Sequence, residues 1–442
     1  MSQFDQDELN RVATETYLFF TPLVIMEFTR RTQTNVTLST HPALKPMNHL
    51  SHTRAFPPGD FRAVVRSNWD TLYTSSWLDL GDEPQVITIP QVPENRFFML
   101  PLYDMWTEVF ASPGTRTNGS RAASFAICGP GWNGELPNGV GRINAPTKYV
   151  WVIGRTETHL APDYPQIHAF QDGMSLTPLS AFPGPAPERE YRINPEWDSR
   201  TPPFHQYRNI TSDDFFRLAG ELATQHPAHI TDWGILERLR SLGFVYGETY
   251  VPEDQSAEVR SALAQAPDAA RRQIASRSTN GSTMVNGWRL VTDNMGNWGN
   301  NYVRRAMVAI RGLGANPVEE TLYPNLLFDA SGAPLDGERH YRLHFKTPPP
   351  VRAFWSLTAY NSENFTEPNE LNRYAIGDRD ALAYNSDGSF DIYLGHTRPA
   401  QAPESNWLPT PAGRFDVSLR MYWPVDGAFT GEFTPPPAEL IQ

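Results

Sequence analysis

Cysteine is nearly absent from this chain of 442 residues, and an apolar run long enough for a membrane span is lacking. With Cys128 as its single cysteine, the chain forms no intrachain disulfide and no cysteine-based metal site. The apolar run around it, SFAICG, favours a small buried side chain over a catalytic thiol. The apolar run YLFFTPLVIMEF, about a dozen residues, is too short to cross a bilayer and is broken by Pro22. The start, MSQFDQDELN, is not typical of a signal peptide, so we expect a cytoplasmic protein that does not enter a membrane.

The chain also lacks an excess of basic residues. It has 37 Lys and Arg against 49 Asp and Glu, a net charge of −12, and no basic stripe, so nucleic acid is not an expected partner. The segment GPGWNGELPNGVG is rich in glycine but lacks the context of a nucleotide-binding loop. A Gly-X-Ser-X-Gly elbow is missing, which argues against an α/β-type serine hydrolase. We therefore expect no cofactor.

Turn residues and aromatic residues are abundant. Proline (40) and glycine (30) are spread along the chain, and aromatic residues make up 12% of it, which is typical of many short strands around aromatic-rich cores. Alternating runs such as LYTSSWLDL, QVITIP and YVWVIGRT predict strands between about residues 60 and 185, and runs such as FDIYLG and FDVSLRMYW predict strands after residue 325. The fold prediction is mainly β with α insertions: two jelly-roll-like β-sandwich domains, an N-terminal helix and a helical middle segment.

The predicted organisation has four parts. They are an N-terminal helix in 1–40, a β-sandwich in 41–185, a Pro-rich connector with a helical segment in 186–320, and a second β-sandwich in 321–442. Pro22 is expected to kink or end the first helix, and a pair of helices is expected to be split near Pro267. The run NWGNNYVRRAMVAIRGLG predicts a helix with Tyr302, Arg305 and Ala309 on one face. The N-terminal helix is expected to pack either on the body of the protein or on a second subunit. An exposed helix would offer contacts to that subunit, so we expect a homo-oligomer.

Long motifs give the chain a resemblance to a known tandem. In the first half these are NWDTLYTSSWLDL, LPLYDMWTEVFASPGTRT, FAICGPGW, APTKYVWVIGRT and LTPLS; in the second they are GANPVEETLY, FWSLTAYN, RYAIGDR, NSDGSFDIYL, NWLPTPAGRF and LRMYWP. The chain resembles a pair of bacterial domains of unknown function, numbered twelve-fifty-four (about 50–180) and twelve-fourteen (about 285–424). The resemblance implies two jelly-roll-like sandwiches with helical insertions, often in oligomers, and no established reaction.

Two carboxylates stand in segments that otherwise read as buried strands. Asp70 lies in NWDTLY and Asp104 in LYDMW, and a carboxylate among apolar residues needs a partner, a ligand or a raised pKa. One hypothesis is that the two share a pocket as a general acid/base pair, with Tyr73 beside them as a third catalytic residue. The alternative is that backbone amides or an arginine bind each carboxylate and that both are structural.

Arginine, tyrosine and tryptophan side chains are the candidate ligand-binding groups. Arginine binds a carboxylate or a phosphate in a bidentate way, and aromatic rings stack on sugars and other rings. Structural ion pairs and core packing are the alternatives for the same residues. The predicted substrate-binding residues are Tyr103, Thr107, Arg116, Tyr302, Arg305, Trp355, Tyr360 and Arg373.

Histidine supplies a weaker signal. His49 and His52, with the distant Asp60, invite a metal site, but a catalytic zinc site needs a third well-placed ligand, so no metal is predicted. The function hypothesis is an enzyme, a hydrolase or lyase, that acts on a small polar molecule or a carbohydrate by carboxylate acid/base chemistry. The alternative is a non-catalytic ligand-binding or oligomeric assembly protein.

Overall fold

A long buried helix opens the chain in this computed structural model, which describes residues 3–38, 41, 43–62, 64–188, 190–277 and 282–441. Helix α1 (Gln3–Thr34) runs through Pro22 without ending there. Most of its side chains from Leu9 to Phe28 are buried against the rest of the molecule. Buried threonines on the helix satisfy their hydroxyls locally; Thr21 Oγ1, for example, donates to the carbonyl of Tyr17 at 2.8 Å. The exposed helix expected from the sequence is therefore wrong, and the homo-oligomer stays a prediction.

The first sandwich packs two sheets around its own apolar core. One sheet has the order β1-β2-β9-β5-β6, with β4 also paired to β9, and the other has the order β10-β3-β7-β8. All pairs are antiparallel except β7 with β8. The elements are β1 (Ser51–His52), β2 (Thr71–Asp79), β3 (Gln85–Ile89), β4 (Phe98–Met99), β5 (Leu102–Tyr103), β6 (Val109–Ala111), α2 (Thr115–Asn118), β7 (Ala123–Cys128), β8 (Val140–Asn144), β9 (Tyr149–Glu157), α3 (Tyr164–Asp172) and β10 (Ser175–Pro178).

A helical layer around α1 covers the outer face of the β2–β9 sheet. Its helices are α4 (Pro203–Asn209), α5 (Ser212–Gln225), α6 (Trp233–Leu239), α7 (Ala257–Ser276) and, later in the chain, α8 (Tyr302–Arg311). Helix α5 begins at Thr211, whose hydroxyl accepts from the backbone N–H of Asp214. The predicted split near Pro267 is wrong, because α7 is one helix with this proline inside it. No helix in the described part of the chain is both long enough and apolar enough to cross a membrane.

The second sandwich repeats the two-sheet plan. One sheet has the order β11-β12-β14-β20-β16-β17, with β13 paired to β20, and the other has the order β19-β18-β15-β21. The elements are β11 (Thr283–Val285), β12 (Trp288–Leu290), β13 (Thr321–Leu322), β14 (Asn325–Leu326), β15 (His340–Phe345), β16 (Trp355–Asn361), β17 (Ala375–Gly377), β18 (Phe390–Gly395), β19 (Trp407–Pro409), β20 (Phe415–Tyr422), α9 (Gly427–Thr430) and β21 (Ala438–Ile441). The predicted fold, mainly β with α insertions, is confirmed.

The β16–β20 sheet is buried on both faces, although only one face is apolar. Leu357 and Leu419, paired across the sheet, lie in the sandwich core. The opposite face carries polar side chains, such as Thr358, which an antiparallel sheet commonly leaves in water. Here that face packs against the first sandwich, and its polar residues are 0–5% exposed: Ser356, Thr358, Tyr360, Ser418, Arg420 and Tyr422. The two sandwiches therefore meet through a buried polar interface.

Candidate functional site

Asp70 sits in the turn that enters β2 and faces the second sandwich. The side-chain oxygen of Asn68 accepts from the backbone N–H of Asp70 at 2.7 Å and of Thr71 at 3.0 Å, which fixes the turn. The Asp70 carboxylate is fully buried and accepts from the Ser356 hydroxyl at 2.7 Å. It also forms an ion pair with the guanidinium of Arg379. Both partners of Asp70 thus come from the other sandwich.

The neighbouring contacts extend this interface along β16 and β20. Tyr360 donates its hydroxyl proton to the carbonyl of Ser67 at 2.7 Å. Arg420 donates to the Thr358 hydroxyl at 2.7 Å and to the Ser67 carbonyl at 3.3 Å. We call the Ser67–Asp70 turn with Ser356, Thr358, Tyr360, Arg379 and Arg420 the polar interface. Its charged groups pair with each other or with backbone, as buried charges require.

Asp104 lies in the turn between β5 and β6, and its partners are different. One carboxylate oxygen accepts from the backbone N–H groups of Trp106 and Glu108, both at 2.9 Å. The other accepts from Nε2 of His229 at 2.5 Å. Thr107 has a positive φ of 68°, an uncommon conformation for this residue type, so the turn is held tightly.

Four charged side chains converge around His229. Asp232 lies 3.6 Å from the Nδ1 atom of His229. Arg305 is fully buried, 3.5 Å from a Glu108 oxygen and 3.8 Å from an Asp232 oxygen. We call Asp104, Glu108, His229, Asp232 and Arg305 the His229 network. It joins the first sandwich to the helical layer, and the hydroxyl of Tyr302 on α8 donates to Asp232 at 3.0 Å.

Burial and pairing set the protonation of this network. Burial disfavours the imidazolium form of His229, but its hydrogen bonds to Asp104 and Asp232 outweigh burial and raise its pKa to about 10. Burial raises the pKa of Glu108, although Arg305 opposes the shift. His229 is therefore a cation at neutral pH, with a carboxylate facing each ring nitrogen.

Asp70 and Asp104 are thus not assembled into one acid/base pair. Each is 0% exposed, and no described residue bonds both carboxylates. Asp70 binds the second sandwich, whereas Asp104 binds the helical layer. The geometry matches the alternative in which arginine, histidine and backbone amides hold both carboxylates.

A third group of polar residues surrounds Arg155 on β9. Its guanidinium carbon lies 4.9 Å from the ring centre of Tyr73, and its Nη1 lies 3.5 Å from the hydroxyl of Tyr323. Tyr103 and Tyr422 also act electrostatically on it. We call Arg155 and these four tyrosines the Arg155 cluster. No carboxylate among the described residues pairs with Arg155, and its buried Nε has no partner there.

Unpaired buried atoms accumulate beside this cluster. Tyr103 donates to the side-chain oxygen of Asn316 at 2.8 Å, but the Asn316 amide nitrogen has no partner among the described residues. Arg116 pairs with Glu320 at 2.9 Å, yet the second Glu320 oxygen is also unpaired. Buried polar groups in folded proteins are nearly always satisfied, so such a cluster indicates a place for water or a ligand.

Comparisons with known proteins identify the two sandwiches. Residues 47–178 match the model described as "Protein of unknown function (DUF1254)", and residues 320–426 match "Protein of unknown function (DUF1214)". The chain carries these two domains in tandem. No curated protein matches it.

Two solved structures resemble the tandem. A crystal structure of the VPA0106 protein from Vibrio parahaemolyticus is 22% identical, with a TM-score of 0.73 over 98% of this chain and 100% of that one. A putative uncharacterized protein from Burkholderia cenocepacia is 12% identical, with a TM-score of 0.45 over 99% of this chain and 95% of that one. The first shows that the fold is shared along the whole chain.

The three groups of residues divide differently between the DUF1254 and DUF1214 domains. Asp70 and Tyr360 place the polar interface between the two domains. The Arg155 cluster also spans both, because Arg155 belongs to DUF1254 and Tyr323 to DUF1214. The His229 network draws His229 and Arg305 from the helical layer, outside both matched ranges.

Other predicted residues of the DUF1214 domain are engaged elsewhere. Trp355 is 1% exposed and packs in the sandwich core against Phe345 and Phe390, which stack on each other. Arg373 donates to backbone carbonyls, including that of Trp407 at 2.9 Å. Neither side chain lies in the three groups described above.

The candidate metal ligands also have other contacts. His52 is hydrogen bonded to the Thr74 hydroxyl at 2.9 Å, and burial lowers its pKa to about 4. His49 contacts the Met47 carbonyl and the Tyr191 hydroxyl. Among the described residues no group of three His, Cys, Asp or Glu side chains is placed to hold a metal ion.

Sequence reasoning did not single out Arg155, His229, Arg379 or Arg420. Arg155 had a usable signal, because it shares a strand face with Trp151 and Ile153 and breaks an otherwise apolar run. Arg420 alternates with core residues of β20 and therefore looks like an ordinary solvent-facing residue. His229 lies in a loop whose sequence, QHPAHITDW, carries no recognisable pattern.

Proposed function

We propose that this tandem protein is a ligand-binding protein, which binds a small organic carboxylate at the Arg155 cluster. In this proposal it is not an enzyme that works by carboxylate acid/base catalysis. The observation that carries the proposal is the Arg155 guanidinium, held among tyrosines with no carboxylate partner among the described residues. A partly desolvated cation without a counter-charge is costly, and an incoming carboxylate offsets that cost.

The chemistry of the surrounding groups supports a carboxylate. A guanidinium presents paired N–H donors that match the two oxygens of a carboxylate, and tyrosine hydroxyls supply further donors. Tyr73, Arg155 and Tyr323 are each partly exposed, so a ligand reaches them from solvent. The Tyr73 ring and its neighbours offer apolar surface to the rest of a small ligand.

The two acidic residues give less support to catalysis. A general acid or base must reach the proton that it transfers, directly or through one water. Asp70 and Asp104 are fully buried, and both oxygens of each already accept hydrogen bonds or ion pairs. Acid/base chemistry by these residues stays a prediction, and this geometry favours the binding alternative.

The first experiment is calorimetric titration with matched charged and neutral ligands. The probes are acetate, benzoate and gluconate, each beside its neutral amide. We expect at least one carboxylate to bind while its amide binds about tenfold or more weakly, because a charge-assisted hydrogen bond contributes about 1.5–3 kcal/mol. Equal binding of every acid and amide pair would contradict the proposal.

Variants assign that binding to Arg155. Arg155→Met is expected to lose about tenfold or more in affinity, whereas Arg155→Lys retains part of it because the charge remains. Arg260→Met, at an exposed position on α7, is the matched control and should bind like the wild type. Wild-type affinity in Arg155→Met would show that the carboxylate does not bind at Arg155.

A further inference from the structure

A second group of arginines lies on the same polar sheet face as Tyr422. Arg289 on β12 pairs directly with Asn325 on β14 across the sheet. Arg66 donates to the Asn325 side-chain oxygen at 3.0 Å and contacts both oxygens of Asp416 at 2.8 Å. Arg66 has a positive φ of 53°, a conformation that costs free energy in a residue with a Cβ. The fold therefore holds this guanidinium in place despite an unfavourable backbone conformation at Arg66.

Positive charge is in excess at this place. Arg289 is partly buried, and its guanidinium makes no hydrogen bond or ion pair with any described residue. Arg66 and Arg311 are close enough to repel it electrostatically, and Arg414 joins them around the carboxylate of Asp416. Burial, then Arg66 and Arg311, lower the pKa of Arg289, and Asp416 opposes the shift. Three arginines, Arg66, Arg289 and Arg414, thus act on one carboxylate in a chain whose net charge is −12.

The arginine group is connected to the Arg155 cluster. The Asn325 side chain, which accepts from Arg66, donates to the carbonyl of Tyr323 at 2.8 Å. The hydroxyl of the same Tyr323 contacts Arg155. Tyr323 and Asn325 therefore lie between the two cationic centres, so a ligand that extends past them would meet an arginine at each end.

We propose that Arg289, with Arg66, binds a second anionic group of the same ligand, which makes that ligand an α,ω-dicarboxylate. The inference rests on the proposed function for the first carboxylate. Two guanidinium groups, those of Arg155 and Arg289, are bonded to no carboxylate among the described residues, and together they match two negative charges better than one. Arg289 supplies the second cation, while Arg66 is already held by Asp416 and orients the site.

The test compares straight-chain dicarboxylates from succinate to azelate with their monomethyl esters. Calorimetric titration of the wild type is expected to show one chain length that binds about tenfold more tightly than its own monoester. Arg289→Met should bring the ratio of the monoester Kd to the dicarboxylate Kd close to one, while the Kd of the monoester stays unchanged. Arg339→Met, at an exposed position in the same domain, is the control and should keep the ratio.

The outcomes separate the two proposals. Dicarboxylates that bind no more tightly than their monoesters, or an unchanged ratio in Arg289→Met, would overturn the second site and leave the first intact. Loss of all discrimination between acids and amides would instead count against Arg155. Arg289→Met is also expected to melt at the wild-type temperature or above without ligand, because it removes charge repulsion. A clearly lower melting temperature would show that Arg289 is a structural residue and would contradict the inference.

Discussion

At the scale of single residues, two histidines three positions apart have opposite environments. His229 lies between two carboxylates, whereas His226 is fully buried and neither ring nitrogen has a partner among the described residues. Burial, with help from Arg30 and Lys148 and against Glu27, lowers the pKa of His226 to about 3. The residue types are identical, so the sequence could not distinguish them; the difference comes from which distant groups the fold places around each ring.

His226 makes the protein less stable in mild acid. Its folded pKa of about 3 lies below the unfolded value near 6.5, so the unfolded state binds more protons and stability falls as pH drops from 6.5 toward 3. The expected contribution between pH 7.5 and pH 5 is about 2 kcal/mol. In urea unfolding, the free energy of unfolding of His226→Phe should fall less than that of the wild type between these two pH values, by roughly that amount. His205→Phe, at an exposed position, should lose as much as the wild type; equal losses in both variants would contradict the prediction.

At the scale of elements, hydrophobic periodicity predicted strands and helices well but not their partners. Period-2 alternation in FDVSLRMYW correctly indicates β20, and the run NWGNNYVRRAMVAIRGLG correctly indicates α8. The same alternation cannot show that the polar face of β20 is buried against another domain. The split predicted at Pro267 is wrong because buried packing of Leu263, Ala266 and Ala270 offsets the loss of the hydrogen bond that proline cannot donate.

The contact between the β5–β6 turn and the helical layer should weaken at alkaline pH. The pKa of His229 is raised from 6.5 to about 10 in the folded state, so its stabilising contribution is complete below pH 6.5 and is lost as pH rises through 10. His229→Gln removes the charge and is expected to cost about 3 kcal/mol at pH 7 in urea unfolding. Its stability should then fall less than that of the wild type between pH 7 and pH 10. His344→Gln, which breaks a half-exposed pair with Asp391, is the control and should cost under about 1 kcal/mol.

At the scale of the whole molecule, the two sandwiches share buried polar groups and, beside them, a small apolar cluster that draws residues from both sandwiches. The sequence showed the two domains and their motifs, including Asp70, Tyr360 and Arg116. It did not show that Asp70 pairs with Arg379, since the two are 309 positions apart in the chain. Such contacts follow from the docking of domains, which no local pattern encodes. For the same reason the sequence around Arg155 does not predict the Arg155 cluster, because Tyr323 and Tyr422 belong to the other domain.

The polar interface should make the two sandwiches unfold together. Asp70→Asn leaves the partly buried Arg379 without its counter-charge, and breaking an ion pair whose carboxylate is fully buried is expected to cost about 3 kcal/mol. We expect the wild type to show one calorimetric transition, and Asp70→Asn to melt at a lower temperature in two separable transitions as the domains uncouple. Asp172→Asn, which breaks an exposed pair with Arg54, is the matched control and should melt like the wild type. A single unshifted transition in Asp70→Asn would instead mean that Asp70 does not join the domains, and would reopen its role as a catalytic carboxylate.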